Sequence, residues 1–185
     1  VLPLPARELT LSFTCDQAEA IGRMNRWAGK PLPLSAASWH RDRLRLRLSG
    51  TADNLARAVE QLEPEQTSDD CSYWERLREQ KLDFFRAQAP LWRLSLPAAS
   101  APLDIAGECL LEWGGAQRWC FSDQPAEKIR QAVAASGGHA TLFRGESDSA
   151  RFHPLPAAMQ QLQSRIKQAM DPAGLFNPNR MSQDW

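Results

Sequence analysis

The hexapeptide Arg43-Leu44-Arg45-Leu46-Arg47-Leu48 alternates without a break. A period of two belongs to a β-strand, whose successive side chains project to opposite faces. A chain that contains it must build a sheet, with Leu44, Leu46 and Leu48 facing a core. Arg43, Arg45 and Arg47 then share the other face. That face reads as a solvated sheet surface, with contact to a partner subunit as the alternative.

The neighbours extend the sheet. Glu8–Thr14 sets Leu9, Leu11 and Phe13 against Glu8, Thr10 and Ser12, a half-buried strand. Asp16 with Glu19 resembles a capping box. Ile21, Met24, Trp27 and Ala28 then follow at helical spacing up to Gly29. Leu34–His40 is a strand joined to Arg43–Leu48 through Arg41-Asp42. Thr51–Glu63 is a helix with Leu55, Val59 and Leu62 on one face. The order β-α-β-β-α lacks one strand of a ferredoxin-like unit, and Pro64–Cys71 reads as polar turn in its place. Tyr73–Arg86 reads as one helix carrying Trp74, Leu77, Leu82 and Phe85.

The second half begins after Pro90. Leu91–Leu96 is a strand with Trp92, Leu94 and Leu96 on one face and Leu91, Arg93 and Ser95 on the other. Ala106–Trp113 and Ala116–Phe121 flank Gly114-Gly115, a hairpin signal. Centred there, the hairpin places Cys109 opposite Cys120, Leu110 opposite Trp119 and Glu112 opposite Gln117. Gln124–Ser136 is a helix ended by Gly137-Gly138, His139–Arg144 a strand and Gly145–Ala150 a polar, mobile loop. Pro154 and Pro156 open a last helix. Its apolar positions Leu155, Met159, Leu162, Ile166 and Met170 step by three and four until Asp171-Pro172 stops it. The β-α-β-β-α opening and the later β-β-α-β run are candidates for two related halves. The fold class is α+β: a mostly antiparallel sheet with helices packed on one side and ferredoxin-like elements.

Charge and composition remove several functions. Twenty-two basic and 22 acidic residues cancel, which argues against nucleic acid as a main partner. No apolar run has the length of a membrane helix. Cys15, Cys71, Cys109 and Cys120 form no C-x-x-C pair, and no two of His40, His139 and His153 share a helix turn, so no metal site is expected. All four thiols are expected to be reduced, in a cytoplasmic protein. Seven tryptophans suggest rings buried in a core or at an interface. The opening Val1-Leu2-Pro3-Leu4-Pro5 suggests an excised or processed segment.

The closing stretch, Arg165–Met170 running into Asp171-Pro172-Ala173-Gly174-Leu175-Phe176-Asn177-Pro178-Asn179-Arg180, carries a family resemblance. It is similar to the C-terminal signature of flavin-dependent 2-hydroxyacid dehydrogenases of the vanillyl-alcohol oxidase and p-cresol methylhydroxylase type. Pro33–His40, Leu91–Pro97, Glu112–Trp119 and Gly138–Arg144 narrow the resemblance to the FAD-binding small subunits of bacterial glycolate oxidases. It runs over nearly the whole chain. The family has Asn-Pro-Gly where this chain has Asn177-Pro178-Asn179, and asparagine tolerates the left-handed backbone such a turn asks for.

The resemblance implies that residues 1–185 are the C-terminal cap, or substrate, domain of an FAD-linked oxidase. The N-terminal FAD-binding domain is then absent, since nothing in the chain resembles a phosphate-cradling glycine loop. Residues 154–181 would be the C-terminal helix with a flavin-facing turn. FAD would meet Asn177, Pro178, Arg180 and Trp113 in the intact subunit, and this chain alone would be colourless and inactive. A small 2-hydroxy acid, glycolate, would be oxidised to glyoxylate with FAD as hydride acceptor. Arg93, Arg118 or Arg144 would hold its carboxylate by a guanidinium fork, and His139 would take the hydroxyl proton. The catalytic candidates are thus His139, Arg144 and Arg93. The implied partners are a second flavin subunit and an iron–sulfur subunit, placing the protein in the cytoplasm, peripheral at the inner membrane. The alternative is a non-catalytic assembly module of the same complex, docking through the arginine face and exposed tryptophans. The turn at 171–180, without its partner, is expected to be less ordered or more exposed than Leu175 and Phe176 would want.

Overall fold

The computed structural model describes residues 4–146, 150–178 and 180. The strands are β1 (Arg7–Thr14), β2 (Leu34–His40), β3 (Arg43–Gly50), β4 (Gln66–Ser68), β5 (Leu91–Ser95), β6 (Cys109–Glu112), β7 (Gln117–Phe121) and β8 (His139–Arg144). The helices are α1 (Gln17–Ala28), α2 (Ala52–Leu62), α3 (Ser72–Arg78), α4 (Ala126–Ala135) and α5 (Ala157–Met170). The fold is α+β, as expected. All eight strands form one antiparallel sheet in the order β4-β1-β3-β2-β6-β7-β5-β8.

That order contains the same pattern twice. Outward from the central β2–β6 pair, each half runs second strand, third, first, fourth. This is the ferredoxin-like order, so the two suspected halves share a topology. Their second strands meet antiparallel through Ser38↔Glu112 and Trp39↔Leu111.

One sheet face carries two cores. Leu11, Phe13, Leu44, Leu46 and Leu48 pack with α1 and α2. Trp92, Leu94, Cys120, Ala140 and Leu142 pack with Ile129 and Val133 of α4. Asp16 caps α1 by accepting from Glu19 N–H at 2.8 Å, while Glu19 pairs with Arg23 rather than closing a reciprocal box. The opposite face carries a third core. There Trp74 and Leu77 of α3, with Leu82, Phe84 and Phe85, cover Leu110, Trp119 and Phe121.

Several expectations need correction. The Arg43/Arg45/Arg47 face is only partly open to solvent. The α3 region lies on it, with Arg45 4.4 Å from the Tyr73 ring centre and Arg47 5.7 Å from that of Trp74. Arg43 pairs with Glu65 at 3.3 Å. The polar run 64–71 contains β4, which completes the first unit. Its three side chains are exposed, and pairing with Thr10–Ser12 of β1 creates it. The helix expected over 73–86 stops at Arg78. Gln80 takes a left-handed backbone, φ 54°, and a 3₁₀ turn at Asp83–Arg86 directs Phe84 and Phe85 into the core.

The hairpin register is as expected, from Cys109↔Cys120 to Glu112↔Gln117, though a 3₁₀ turn at Trp113–Gly115 links its strands. The expected thiols are a disulfide: Cys109 and Cys120 are joined, with Cα atoms 4.2 Å apart. Cys15 and Cys71 are free. Residues 147–149 of the polar loop, together with Asn179 and Met181 of the closing stretch and Trp185, lie outside the described residues. Trp27, Trp39, Trp74, Trp92 and Trp119 are buried, which leaves Trp113 as the exposed tryptophan among those described.

Candidate functional site

The α3-side face of the sheet holds a polar row. The registers Ser38↔Glu112, Glu112↔Gln117, Gln117↔Ser95 and Ser95↔His139 set five polar residues side by side across five strands. The α3 aromatics cover the adjoining Leu110 and Trp119, and Tyr73 reaches the row at Ser38, so it opens only toward β5 and β8, where Arg93 and His139 are exposed. Arg93, one row over, reaches back to it. Its Nε donates to Gln117 Oε1 at 3.0 Å, and Gln117 Nε2 donates to Glu112 Oε2 at 3.1 Å. Trp119 Nε1 donates to the same Glu112 oxygen at 2.6 Å. At the other end Ser38 shares a 3.0 Å hydrogen bond with the Tyr73 hydroxyl. Burial pushes that phenol up, against the opposing pull of Ser38 and Arg45.

Glu112 also borders a groove of about 700 Å³ between α3 and the start of β2. Ser35, Arg47, Trp74, Arg78 and Trp113 line it with Glu8. That volume is in the range of small-ligand sites. Trp113 is 68% exposed and has φ 52°. A left-handed backbone is uncommon for a bulky aromatic residue.

The structure separates the expected site residues. Arg93 and His139 share the open face, and His139 is exposed. Arg144 is committed elsewhere: its guanidinium donates to Phe85 O at 2.9 Å and Gln80 Oε1 at 3.1 Å, pinning the break after α3. Arg118 lies on the opposite face, 1% exposed, and gives its fork to the backbone oxygens of Ser100, Ala101 (2.8 Å) and Gly115 (3.1 Å). All three of its nitrogens are thus engaged with backbone, and at 1% exposure it is closed off from a substrate. Burial lowers its pKa from the ordinary arginine value.

The other histidines are structural. His40 bonds Glu108 at 2.6 Å, and Arg41 bonds the same oxygen at 2.6 Å. Burial alone would raise the Glu108 carboxyl, but these two partners outweigh it and hold it low. His153 Nδ1 accepts from Ala140 N–H at 3.3 Å. Among the described residues no cluster of histidine, cysteine and carboxylate side chains is placed to hold a metal.

Asn177, Pro178 and Arg180 lie beyond α5, which buries none of its residues. Asp171 organises the turn. It pairs with Lys167 and accepts from Leu175 N–H at 3.0 Å and Phe176 N–H at 2.9 Å. Lys167, then the Phe176 and Leu175 amides acting against partial burial, hold its carboxyl down at about 2. The turn is well tied, yet Leu175 is 74% and Phe176 68% exposed. The expected greater exposure is present, with Asp171 supplying the order. Asn177 has φ 48°.

The described residues do not fit a whole FAD. The helices α1, α2 and α4 start at Asp16, Thr51 and Pro125, none on a glycine-rich loop. The glycine pairs at 114–115 and 137–138 serve a hairpin and a helix end. A diphosphate has no cradle here.

Comparison with known proteins agrees with the resemblance read from the sequence. The chain is similar to a glycolate oxidase subunit. It is 37% identical over 181 residues to glycolate oxidase subunit GlcE of Escherichia coli (strain K12). The match takes in 98% of this chain and 51% of GlcE, so the chain spans about half the length of that relative. No family model matches the chain.

Sequence reasoning missed Gln117 and Glu112 as site residues. Both were within reach: the hairpin register set them opposite each other, and strand alternation put Arg93 on one face with Ser95. The missing information was the β5–β7 pairing that brings Arg93 to Gln117.

Proposed function

We propose that this chain is the C-terminal cap domain of the FAD-binding subunit of a glycolate oxidase, contributing to the oxidation of glycolate to glyoxylate. The similarity to GlcE along almost the entire chain carries this reading. The cofactor's diphosphate would be held by a half of the protein outside these residues, consistent with the missing cradle. The open polar face would close over the substrate. Arg93 would hold the carboxylate, and His139 would take the hydroxyl proton. FAD, when bound, supplies the hydride acceptor. Trp113, Asn177, Pro178 and Arg180 would flank it. Arg144 is left out, because both its Nη atoms are tied to Phe85 O and Gln80 Oε1 at the break after α3. A second flavin subunit and an iron–sulfur subunit would be the partners, in a cytoplasmic complex peripheral to the inner membrane. Among the described residues no helix is long and apolar enough to cross a membrane.

The test uses the longer protein, assembled with its partners, and a dye-reduction assay with glycolate. Arg93→Lys should raise KM at least about tenfold by losing the bidentate fork. His139→Ala should lower kcat by about a hundredfold or more, the usual contribution of a positioned base. The complex should purify yellow, and this chain alone colourless.

A second reading has its own observation. Met159, Leu162, Ile166 and Met170 form an exposed apolar stripe on α5, continued by Leu175 and Phe176. Such a stripe suits assembly as well as catalysis. Unchanged turnover in both variants, with the complex intact, would favour a non-catalytic assembly module.

A further inference from the structure

We propose that Glu112, acting through Gln117, is the positioning residue that presents Arg93 with one guanidinium edge open to a small carboxylate. The inference rests on Arg93 as the carboxylate anchor and names what makes it one. A surface arginine ordinarily samples many rotamers, and holding it costs side-chain entropy. Here its Nε–H is tied to Gln117 Oε1, while its Nη1 and Nη2 make no hydrogen bond or ion pair among the described residues. That outer edge is the one that meets a carboxylate through two parallel bonds.

Gln117 can do this only in one amide orientation. With its oxygen toward Arg93, its NH₂ must find an acceptor, and Glu112 Oε2 supplies it at 3.1 Å. A flipped amide would set donor against Nε–H and oxygen against carboxylate. Glu112 is itself fixed by the 2.6 Å bond from Trp119 Nε1, and Trp119 is packed beneath α3. Donation to a carboxylate polarises the Gln117 amide and strengthens its oxygen as an acceptor. The line Trp119–Glu112–Gln117–Arg93 therefore carries the rigidity of the core to the open face. In this register Gln117 on β7 stands between Glu112 on β6 and Arg93 on β5, and it takes the place of a direct Glu112–Arg93 pair. The arginine keeps its charge free for a ligand.

The experiment is an NMR titration of this chain, labelled with ¹⁵N at arginine, with glycolate, acetate and sodium chloride at matched ionic strength. In the native chain the Arg93 Nε–H should exchange slowly with solvent. Its signal should shift saturably with glycolate and acetate and stay put with chloride. Glu112→Ala should expose the Nε–H to fast exchange and weaken glycolate binding about tenfold, the loss of one charge-assisted restraint. Glu112→Gln, which keeps an acceptor oxygen, should restore most of the affinity, and Arg93→Lys should remove the saturable shift. Circular dichroism identifies which variants are folded. Equal shifts with chloride would mean an adventitious ion only, and would overturn the proposal. So would a native chain whose Arg93 signal ignores glycolate, or a folded Glu112→Ala with native affinity. If Glu112→Ala does not fold, Gln117→Leu tests the same line without removing the Trp119 acceptor. If these results hold and the longer protein binds no flavin, the flavin-subunit reading falls and the carboxylate site stands.

Discussion

The two halves share a strand order, yet the link between the first and second strands differs completely. In the first half it is α1. The helix satisfies its own backbone, is capped by Asp16, and buries Ala20, Ile21, Met24 and Trp27 against the sheet. In the second half it is residues 96–108, which contain no helix or strand. Irregular backbone that lies against a core needs hydrogen-bond partners from elsewhere. Arg118 supplies them, fully buried on β7, by donating to three backbone oxygens of this link and the hairpin turn. Asn25 of α1 adds bonds to Ala98 O at 3.3 Å and Gly114 O at 3.1 Å, so the first half braces the second. One topology can thus be closed by a helix or by an irregular link held by side chains of other elements. The second solution places much of a segment's hydrogen bonding on one residue, Arg118.

That contrast predicts unequal sensitivity. Arg118→Met removes the donor from three carbonyls, of which the Gly115 bond is buried and the Ser100 and Ala101 bonds are part-buried, so the loss should be about 3 kcal/mol. Urea unfolding should report it, with hydrogen exchange accelerated over 96–116 and α1 little changed. Equal acceleration in α1 would mean that the halves do not differ as described. Reducing the Cys109–Cys120 bond should cost less, at most about 3 kcal/mol for so short a loop. It should lower Tm in the native chain but not in a Cys109→Ser, Cys120→Ser double variant. The bond joins strands that are already paired, at the place where Cys109 touches both helix-side cores.

These differences also mark what the sequence made legible. Period-two and helical patterns located most elements, and Gly114-Gly115 fixed the hairpin register, because those signals are local. β4 was invisible, since Gln66, Thr67 and Ser68 carry no alternation and owe their strand to the β1 edge. The arginine face of β3 was legible as a face but not as a platform for Tyr73 and Trp74. Only tertiary packing brings those rings onto the guanidiniums. The disulfide was missed for a different reason: opposition of the two cysteines was read correctly, and their oxidation state was inferred from a presumed compartment. For the site, Arg93 and His139 were legible as residue types on strands. The chain through Gln117 to Glu112 depended on long-range register. The stripe on α5 was read correctly as apolar, but a pattern says only that a face wants cover, not where the cover comes from.

A milder cut tests the first half on its own terms. Asp16→Ala removes the cap of α1 and should cost about 1 kcal/mol. Amide exchange should quicken at the start of α1 and leave the 96–108 link unchanged. A loosened link would show that Asn25 transmits the damage, making the brace between halves stronger than the two bonds suggest.

The smallest effect concerns the outer edges, where the halves differ again. The first ends in the short, exposed β4. The second ends in β8, whose free edge is covered by the strap at 150–153. Leu142 N–H donates to Arg151 O at 2.8 Å, Ala140 N–H donates to His153 Nδ1, and Arg130 donates to Ala150 O. Burial first, then the nearby charge of Arg130 and the proximity of His139, lower the His153 pKa, with Glu127 opposing. A lowered folded pKa means that the unfolded chain takes up the proton more readily. The strap's contribution is therefore complete above the ordinary histidine range, near pH 6.5, and is lost as pH falls through the lower folded value. Protonation also turns Nδ1 from acceptor to donor, against the Ala140 N–H. Exchange at Ala140 and Leu142, corrected for intrinsic rates, should quicken between pH 7 and pH 5 while β4 and β1 show no such change. His153→Asn, which retains an acceptor that does not titrate, should flatten the profile. A profile that persists in that variant would assign the pH response to another group and leave the covered edge no more acid-sensitive than the bare one.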